Sequence, residues 1–334
     1  MTRRRHPRVG VAGVGALGFH HARILATLDG VAMAGVHDAL PERAQRVGRE
    51  LSVKAHDTLE GLVDACDALV VAVPTTAHED VAVAALGRGR PVLVEKPLSF
   101  SLESADRILA AARSGGAFVQ TGHVERFNQA LLAAMPFMDG PRFIESHRLA
   151  PFTPRSADVA VVLDLMIHDV DLVAGLVGTP LRELAASGVS VLTSSVDIAN
   201  ARLTFEGGAV ANLTASRISV ERMRKLRIFQ PSGYLSLNLA DGTGEFLRLR
   251  RGLPELRDGA AAGVSALELS DVVERIELSG DGVEPLRREL EDFRNAVRGD
   301  SAPTVTGDDG RAALAIALTI QERIVGHVVD TRPA

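Results

Sequence analysis

Residues 8–25 read RVGVAGVGALGFHHARIL. An apolar, strand-like run from Arg8 to Ala12 enters a turn with glycine at 13, 15 and 18, and a helical run follows from Gly18. In a strand–turn–helix unit the first glycine permits the tight turn, the second lets an anion approach the backbone, and the third lets the helix pack closely. Backbone N–H groups around Ala16 and Leu17, with the positive end of the helix dipole, suit a pyrophosphate there. Asp38 stands 20 residues past Gly18, at the end of the next apolar run. A carboxylate at that place binds both ribose hydroxyls and repels a 2′-phosphate, so NAD is expected rather than NADP. The plain alternative is a tight turn in a nucleotide-free α/β domain.

Outward from this unit the first third alternates apolar runs with helical ones, the signature of βαβ units and a parallel sheet. Strands are expected at Arg8–Ala12, Val31–His37, Ala68–Val73, Pro91–Glu95 and Ala117–Thr121, and helices at Gly18–Leu28, Pro41–Leu51, Leu59–Ala65, His78–Arg88 and Ser101–Ser114. The near-continuous apolar strands suit burial on both faces. After Thr121 the pattern changes to a long helix near Asp158–Val177 and then strands at Glu183–Leu192, Ile198–Phe205, Ala209–Ser216, Leu226–Gln230, Tyr234–Leu239 and Glu245–Arg250. Short turns at Phe205–Ala209 and Gln230–Tyr234 make those pairings antiparallel. Leu253–Glu284 is weakly periodic and is expected to be an excursion of the sheet domain. Helices at Leu286–Val297 and Gly310–Gly326 close the chain and could pack back on the first domain. The expected class is therefore α/β: a doubly wound parallel sheet over residues 1–121, then an α+β domain with a mostly antiparallel sheet over 122–334.

The 334 residues carry 37 Lys+Arg and 42 Asp+Glu, for a formal charge of −5, so a general nucleic-acid binder is disfavoured. The basic, then apolar start imitates a signal peptide, but His20, His21 and Arg23 interrupt it and no small-x-small cleavage site follows. No apolar run approaches the roughly 18 residues that cross a bilayer. One cysteine, Cys66, in an apolar run suits a reducing, cytoplasmic setting. Only three of the basic residues are Lys, at 54, 96 and 225, so each Lys invites its own explanation.

Lys96 lies in Glu95-Lys96-Pro97 at the carboxyl end of a parallel strand, as Pro74-Thr75 with His78 lie at the end of another; ligands of open α/β sheets bind along that edge. An ammonium buried beside a nicotinamide would stabilise an alkoxide, and a surface turn lysine paired with Glu95 is the bland reading. Asp164, His168 and Asp171 are i, i+4 and i+7, so on a regular helix they share one face of an otherwise apolar segment. His168 suits a general base for an alcohol, with a carboxylate one turn away to orient it. A solvent-facing helix end or a zinc pair competes, although zinc would need further ligands that the sequence does not supply. Gly122-His123-Val124-Glu125-Arg126-Phe127-Asn128 is dense in polar groups at the domain junction. There Arg126 could bind phosphate or carboxylate, or form a structural ion pair. Arg155 is a weaker candidate of the same kind, and His20 and His21 are expected to pack or cap rather than catalyse.

Taken in order, Gly13-x-Gly15-x-x-Gly18, Asp38, Pro74 with His78, Glu95-Lys96-Pro97, Arg126-Phe127 and Asp164-x-x-x-His168-x-x-Asp171 resemble the Gfo/Idh/MocA oxidoreductase family over nearly the whole chain. The resemblance implies a Rossmann domain and an open-faced sheet domain, a homo-oligomer (dimer or tetramer) built through that sheet, and NAD-dependent hydride transfer at a hydroxyl-bearing carbon of a sugar or cyclitol. It also implies that Lys96 and His168 flank the reacting hydroxyl, with Asp164 orienting the site, and it places His123, Arg126, Asn128, Arg155 and Asp171 on the substrate side. Gly122–Asn128 and Val162–Asp169 are similar to the branch that oxidises the 3-hydroxyl of UDP-N-acetylglucosamine, although Gln129 stands where that branch usually has proline. Inositol or free-sugar dehydrogenases, an NAD-assisted glycoside hydrolase and a non-catalytic NAD-binding regulator share the fold and remain alternatives here.

Overall fold

The computed structural model describes residues 6–153, 160–193, 195–250, 272–325 and 328–330. The chain divides into two compact units, Met1–Phe127 with Glu284–Leu318, and Asn128–Val283 with Thr319–Ala334.

In the first unit β1 (Arg8–Ala12), β2 (Ala32–His37), β3 (Ala68–Val71), β4 (Val92–Glu95) and β5 (Val119–Gly122) form a parallel sheet in the order β2-β1-β3-β4-β5. Helices α1 (Ala16–Leu25), α2 (Pro41–Leu51), α3 (Leu59–Ala65), α4 (His78–Leu86) and α5 (Leu102–Gly115) make the crossovers. All four residues of β3 are buried, as a sheet covered on both faces requires. Local chemistry starts the helices: Pro41 opens α2, and Thr58 and Ser101 cap α3 and α5 by accepting from the Gly61 and Ser104 backbone N–H groups. The closing segment adds α8 (Pro285–Val297), whose Leu290 and Phe293 join Val9, Val11, Ile24 and Leu25 in one core cluster. Burial pushes the Cys66 thiol to about 11, so it behaves as a small apolar core group.

In the second unit nine strands form one sheet in the order β13-β12-β11-β10-β6-β9-β8-β7-β14. They are β6 (Phe143–Leu149), β7 (Leu181–Ser190), β8 (Ile198–Phe205), β9 (Val210–Ser216), β10 (Met223–Gln230), β11 (Gly233–Asn238), β12 (Thr243–Leu249), β13 (Val273–Ser279) and β14 (Val328–Asp330). The β6–β9 and β7–β14 pairs are parallel and the rest antiparallel. Gly207 and Gly208, both at φ 87°, turn β8 into β9 as expected. Along β8 the residues Ala199, Ala201, Leu203 and Phe205 are buried, while Asn200 and Arg202 bond Thr214 and Asn212 across the other face. A short helix α6 (Gln129–Ala134) precedes β6, α7 (Ile167–Val177) packs on β6 and β9, and α9 (Gly307–Val325) runs on from the first unit at Thr319.

The excursion expected over Leu253–Glu284 ends in a strand, β13, paired with β12; its residues 253–271 lie outside the described part. The single long helix expected near Asp158–Val177 is instead a π-helical turn, Val162–Met166, followed by α7.

Candidate active site

The nucleotide turn is built by exclusion. Gly13 adopts φ 83°, where an L side chain is strained, and a Cβ there would sit 2.7 Å from the Ala72 and Val73 backbone at the end of β3. A Cβ on Gly18 would lie 1.8 Å from the Gly13 carbonyl oxygen, so only glycine lets α1 pass the turn. Gly15 is the opposite case, with nothing within 4 Å of a Cβ built on it. Helix α1 has no acidic residue in its first turn, which leaves its positive end uncompensated. Asp38 is buried, accepting from the Val14 and Leu40 N–H groups at 2.8 and 2.9 Å, with the Arg43 guanidinium 3.3 Å from both oxygens. The sheet order reverses between β1 and β3, so this turn lies at the switch point where open α/β sheets take ligands. A cradle that a methyl group would fill, a free helix N-terminus and a fixed carboxylate fit a dinucleotide with unmodified ribose.

At the next two strand ends the loops are stapled together. Pro74 leads into a 3₁₀ turn, Thr75–Ala77, and His78 opens α4. The buried His78 ring sets Nδ1 3.1 Å from the Pro97 carbonyl and Nε2 3.0 Å from the Val73 carbonyl. Burial lowers its pKa against the pull of those carbonyls. His78 thus joins the loops after β3 and β4 through backbone groups. Lys96, half-buried, follows β4 and makes a cis peptide with Pro97. Beneath it Glu95 Oε1 lies 2.7 Å from His21 Nε2, and Oε2 accepts the Lys96 N–H at 3.1 Å. Burial raises the Glu95 carboxyl, but the His21 hydrogen bond and the His21 and Lys96 charges outweigh it and hold the group below the usual carboxylate range. After β5, buried His123 precedes a 3₁₀ turn, Val124–Phe127, that carries half-buried Arg126, whose N–H donates to the His123 carbonyl at 3.0 Å.

In the second unit Asn128 caps α6, accepting from Ala130 N at 3.0 Å and donating Nδ2 to the Leu239 carbonyl at 2.8 Å. Asp164 and His168 are half-buried, Asp164 within the π turn and His168 in the first turn of α7. Asp171 is only 1% exposed. Asp164 thus lies in the π turn and His168 and Asp171 on α7, so the uninterrupted α-helix that the i, i+4, i+7 spacing assumed is broken before His168. Asp169, beside His168, accepts both Arg148 Nε and Nη2 at 2.9 and 3.0 Å. This buried bidentate pair ties α7 to β6. Arg155 lies outside the described residues. Among the described residues no cluster of His, Cys, Asp and Glu could hold a metal, and no helix is long and apolar enough to cross a membrane.

Residues 7–123 match a family model described as an oxidoreductase family with an NAD-binding Rossmann fold, and 140–236 match the GFO/IDH/MocA C-terminal domain. The UDP-N-acetylglucosamine 3-dehydrogenase of Acidithiobacillus ferrooxidans is 35% identical over 321 residues, 95% of this chain and 96% of that protein. The chain belongs to the Gfo/Idh/MocA family. It is an NAD-dependent oxidoreductase acting on a CH–OH group. The solved structure of the Acidithiobacillus dehydrogenase superposes with a TM-score of 0.86 at 34% identity, covering 96% of this chain and 98% of that one. The scyllo-inositol 2-dehydrogenase (NAD(+)) of Bacillus subtilis is 30% identical over 232 residues, covering 64% of this chain and 68% of its own. The fold alone is shared with the scyllo-inositol dehydrogenase of Lactobacillus casei, solved with NAD(H) and scyllo-inositol, at a TM-score of 0.75, 19% identity and coverage of 96% and 97%.

Within this family member, sequence reading did not anticipate the Arg148–Asp169 pair or the His21–Glu95 contact. The first joins residues 21 apart and the second residues 74 apart, and neither separation leaves a local pattern. Gln129, the departure from the branch pattern, has a structural reason. Its Nε2 donates to the Val283 carbonyl at 2.8 Å and its Oε1 accepts the Gly282 N–H at 3.1 Å, bonds that proline cannot make.

Proposed function

We propose that the chain oxidises the 3-hydroxyl of UDP-N-acetylglucosamine, giving the 3-keto sugar nucleotide. The observation that carries this reading is the end-to-end match, through both units, to a dehydrogenase with that activity. Lys96 and His168 flank the reacting hydroxyl. A ring nitrogen of His168 takes the hydroxyl proton, Asp164 orients the site, and Lys96 Nζ steadies the charge on the oxygen while the C3–H bond gives up its hydride. NAD, when bound, supplies the hydride acceptor. His123, Arg126, Asn128 and Asp171 lie on the substrate side, and Arg126 suits the diphosphate. Asp38 binds the ribose and excludes a 2′-phosphate.

Inositol dehydrogenases at 30–34% identity over about half to two thirds of this chain support a cyclitol as the second reading. The chain also forms a homo-oligomer through the nine-stranded sheet; its outer face carries Phe143, Phe229 and Tyr234 in ring contact. Light scattering on the purified protein measures the subunit number, and a monomer excludes this. For the substrate, protein freed of nucleotide is given NAD and a panel of UDP-sugars, free sugars and inositols, with reduced nicotinamide followed by absorbance. NADH formation with UDP-N-acetylglucosamine supports the reading; a response to inositols alone replaces it with the second.

A further inference from the structure

The interior beneath Lys96 holds polar groups that hydride transfer does not itself use. The Glu95 carboxylate lies against Gly122 of β5, where a Cβ would come 3.2 Å from Oε2, so glycine makes the room. A carboxylate only accepts, so the His21 nitrogen facing it, Nε2, carries a proton. The opposite nitrogen, Nδ1, is buried without a hydrogen-bond partner. Helix α8 brings Glu289 to the same interior, fully buried with neither carboxyl oxygen hydrogen-bonded. Gln120 of β5 donates Nε2 to the Glu289 carbonyl at 3.3 Å, and its own Oε1 is a further buried orphan. Orphans of this kind are rare in native interiors, and they mark a retained polar cluster rather than filler.

We propose that His21 is a positioning residue for Lys96, acting through the Glu95 carboxylate, and that Glu289 belongs to the same buried cluster. The proposal rests on the reading of Lys96 as the group that steadies the reacting oxygen. His21 sits on α1, the helix that opens at the nucleotide turn, and Glu95 ends the strand that delivers Lys96. Two bonds in series, His21 to Glu95 and Glu95 to the Lys96 N–H, therefore lock the lysine's backbone to the helix whose N-terminus faces the pyrophosphate. Without the imidazole, a carboxylate only 12% exposed loses its 2.7 Å partner, and the turn carrying Lys96 loosens. The groups around this carboxylate are His21 from α1, Lys96 from its own turn, His78 from α4 and Glu289 from α8, with Gly122 of β5 beside it. Burial, with the negative charges of Glu95 and Asp292, holds the Glu289 carboxyl well above its ordinary range, which favours its neutral form.

The test compares His21→Leu, which keeps bulk and removes the donor, with His21→Gln, which keeps an N–H near the Nε2 position. His21→Leu is expected to lower kcat on the order of 10- to 100-fold, as loss of alignment by about 1 Å does, while the sugar KM and the NAD Kd change less than about 3-fold. His21→Gln is expected to recover most of the loss. In a double-mutant cycle His21→Leu adds no further kcat loss on a Glu95→Gln background. If His21→Leu fails to fold, the His21→Asn, Glu95→Gln cycle carries the same test, because the shorter amide falls short of the Nε2 position. Glu289→Gln, which copies the neutral form, is expected to keep kcat within about 3-fold, while Glu289→Asp, which moves the group by a methylene, lowers it more. Native kcat in His21→Leu, or purely additive losses in the cycle, overturns the proposal. Lys96→Ala separates the two levels: an inactive Lys96→Ala beside a native His21→Leu defeats only this inference, and an active Lys96→Ala defeats the underlying reading.

Discussion

Gly15→Ala separates nucleotide binding from folding. Gly15 is the N-cap of α1 at φ −67°, ψ −158°, a conformation open to any L residue, and its Cβ would meet nothing within 4 Å. The folding cost is therefore that of alanine at an N-cap, about 1 kcal/mol or less, or roughly 2–4 °C in Tm. The same methyl stands where the pyrophosphate must reach the backbone, so the NAD Kd is expected to rise at least about 10-fold, or about 1.4 kcal/mol. Gly18→Ala does the reverse. Its Cβ would lie 1.8 Å from the Gly13 oxygen and 2.8 Å from the Gly13 carbonyl carbon, both backbone atoms that cannot swing away. Overpacking of that kind costs about 1–3 kcal/mol or more, so Gly18→Ala is expected to melt well below the native chain. Scanning calorimetry gives Tm and titration calorimetry gives the NAD Kd. Native NAD affinity in Gly15→Ala, or native Tm in Gly18→Ala, refutes this reading of the turn.

Three further outcomes follow from the same geometry. Asp38→Ala is expected to relax the preference for NAD over NADP; an unchanged ratio of the two kcat/KM values places ribose recognition elsewhere. Asp169→Ala removes the bidentate carboxylate partner of the buried Arg148 guanidinium and is expected to cost about 3–5 kcal/mol in denaturant unfolding, with the double variant Arg148→Met, Asp169→Leu recovering much of it; a loss below about 1 kcal/mol contradicts the pairing. The Arg107 hydrogen bonds hold Glu79 down at about 2, so its contribution is present above the ordinary carboxylate range and is lost as pH falls from there towards about 2. The Tm gap between the native chain and Glu79→Gln should accordingly shrink across that window, and a gap independent of pH excludes the ion pair as its source.

The first sheet was legible because strands buried on both faces are written as unbroken apolar runs; β1, α2 and α3 run between the residues at which their sequence pattern starts and stops. Strand β6 was not legible. Its inward positions are Ile144, Ser146 and Arg148, so the alternation that marks a half-buried strand is masked by buried polar residues, of which Arg148 is paired with Asp169 of α7. The π turn at Val162–Met166 has no residue signature, since its i→i+5 bonds are backbone bonds that no side-chain pattern announces. At the candidate site, the sequence located Lys96 and Asp38 at strand ends but could not show what holds them. His21 and Glu289 reach Glu95 only through the packing of α1 and α8, and His78 and Asn128 prove to spend their polar atoms on backbone groups.

The proposed reaction takes a hydride from C3 of UDP-N-acetylglucosamine. The most direct measurement uses substrate carrying deuterium at C3 alone, with the nicotinamide product analysed by mass spectrometry. Deuterium in the NADH, with a slowed rate of its formation, is expected. NADH formed without deuterium puts the oxidised carbon elsewhere on the sugar, and no NADH from this substrate while an inositol is oxidised contradicts the assignment outright.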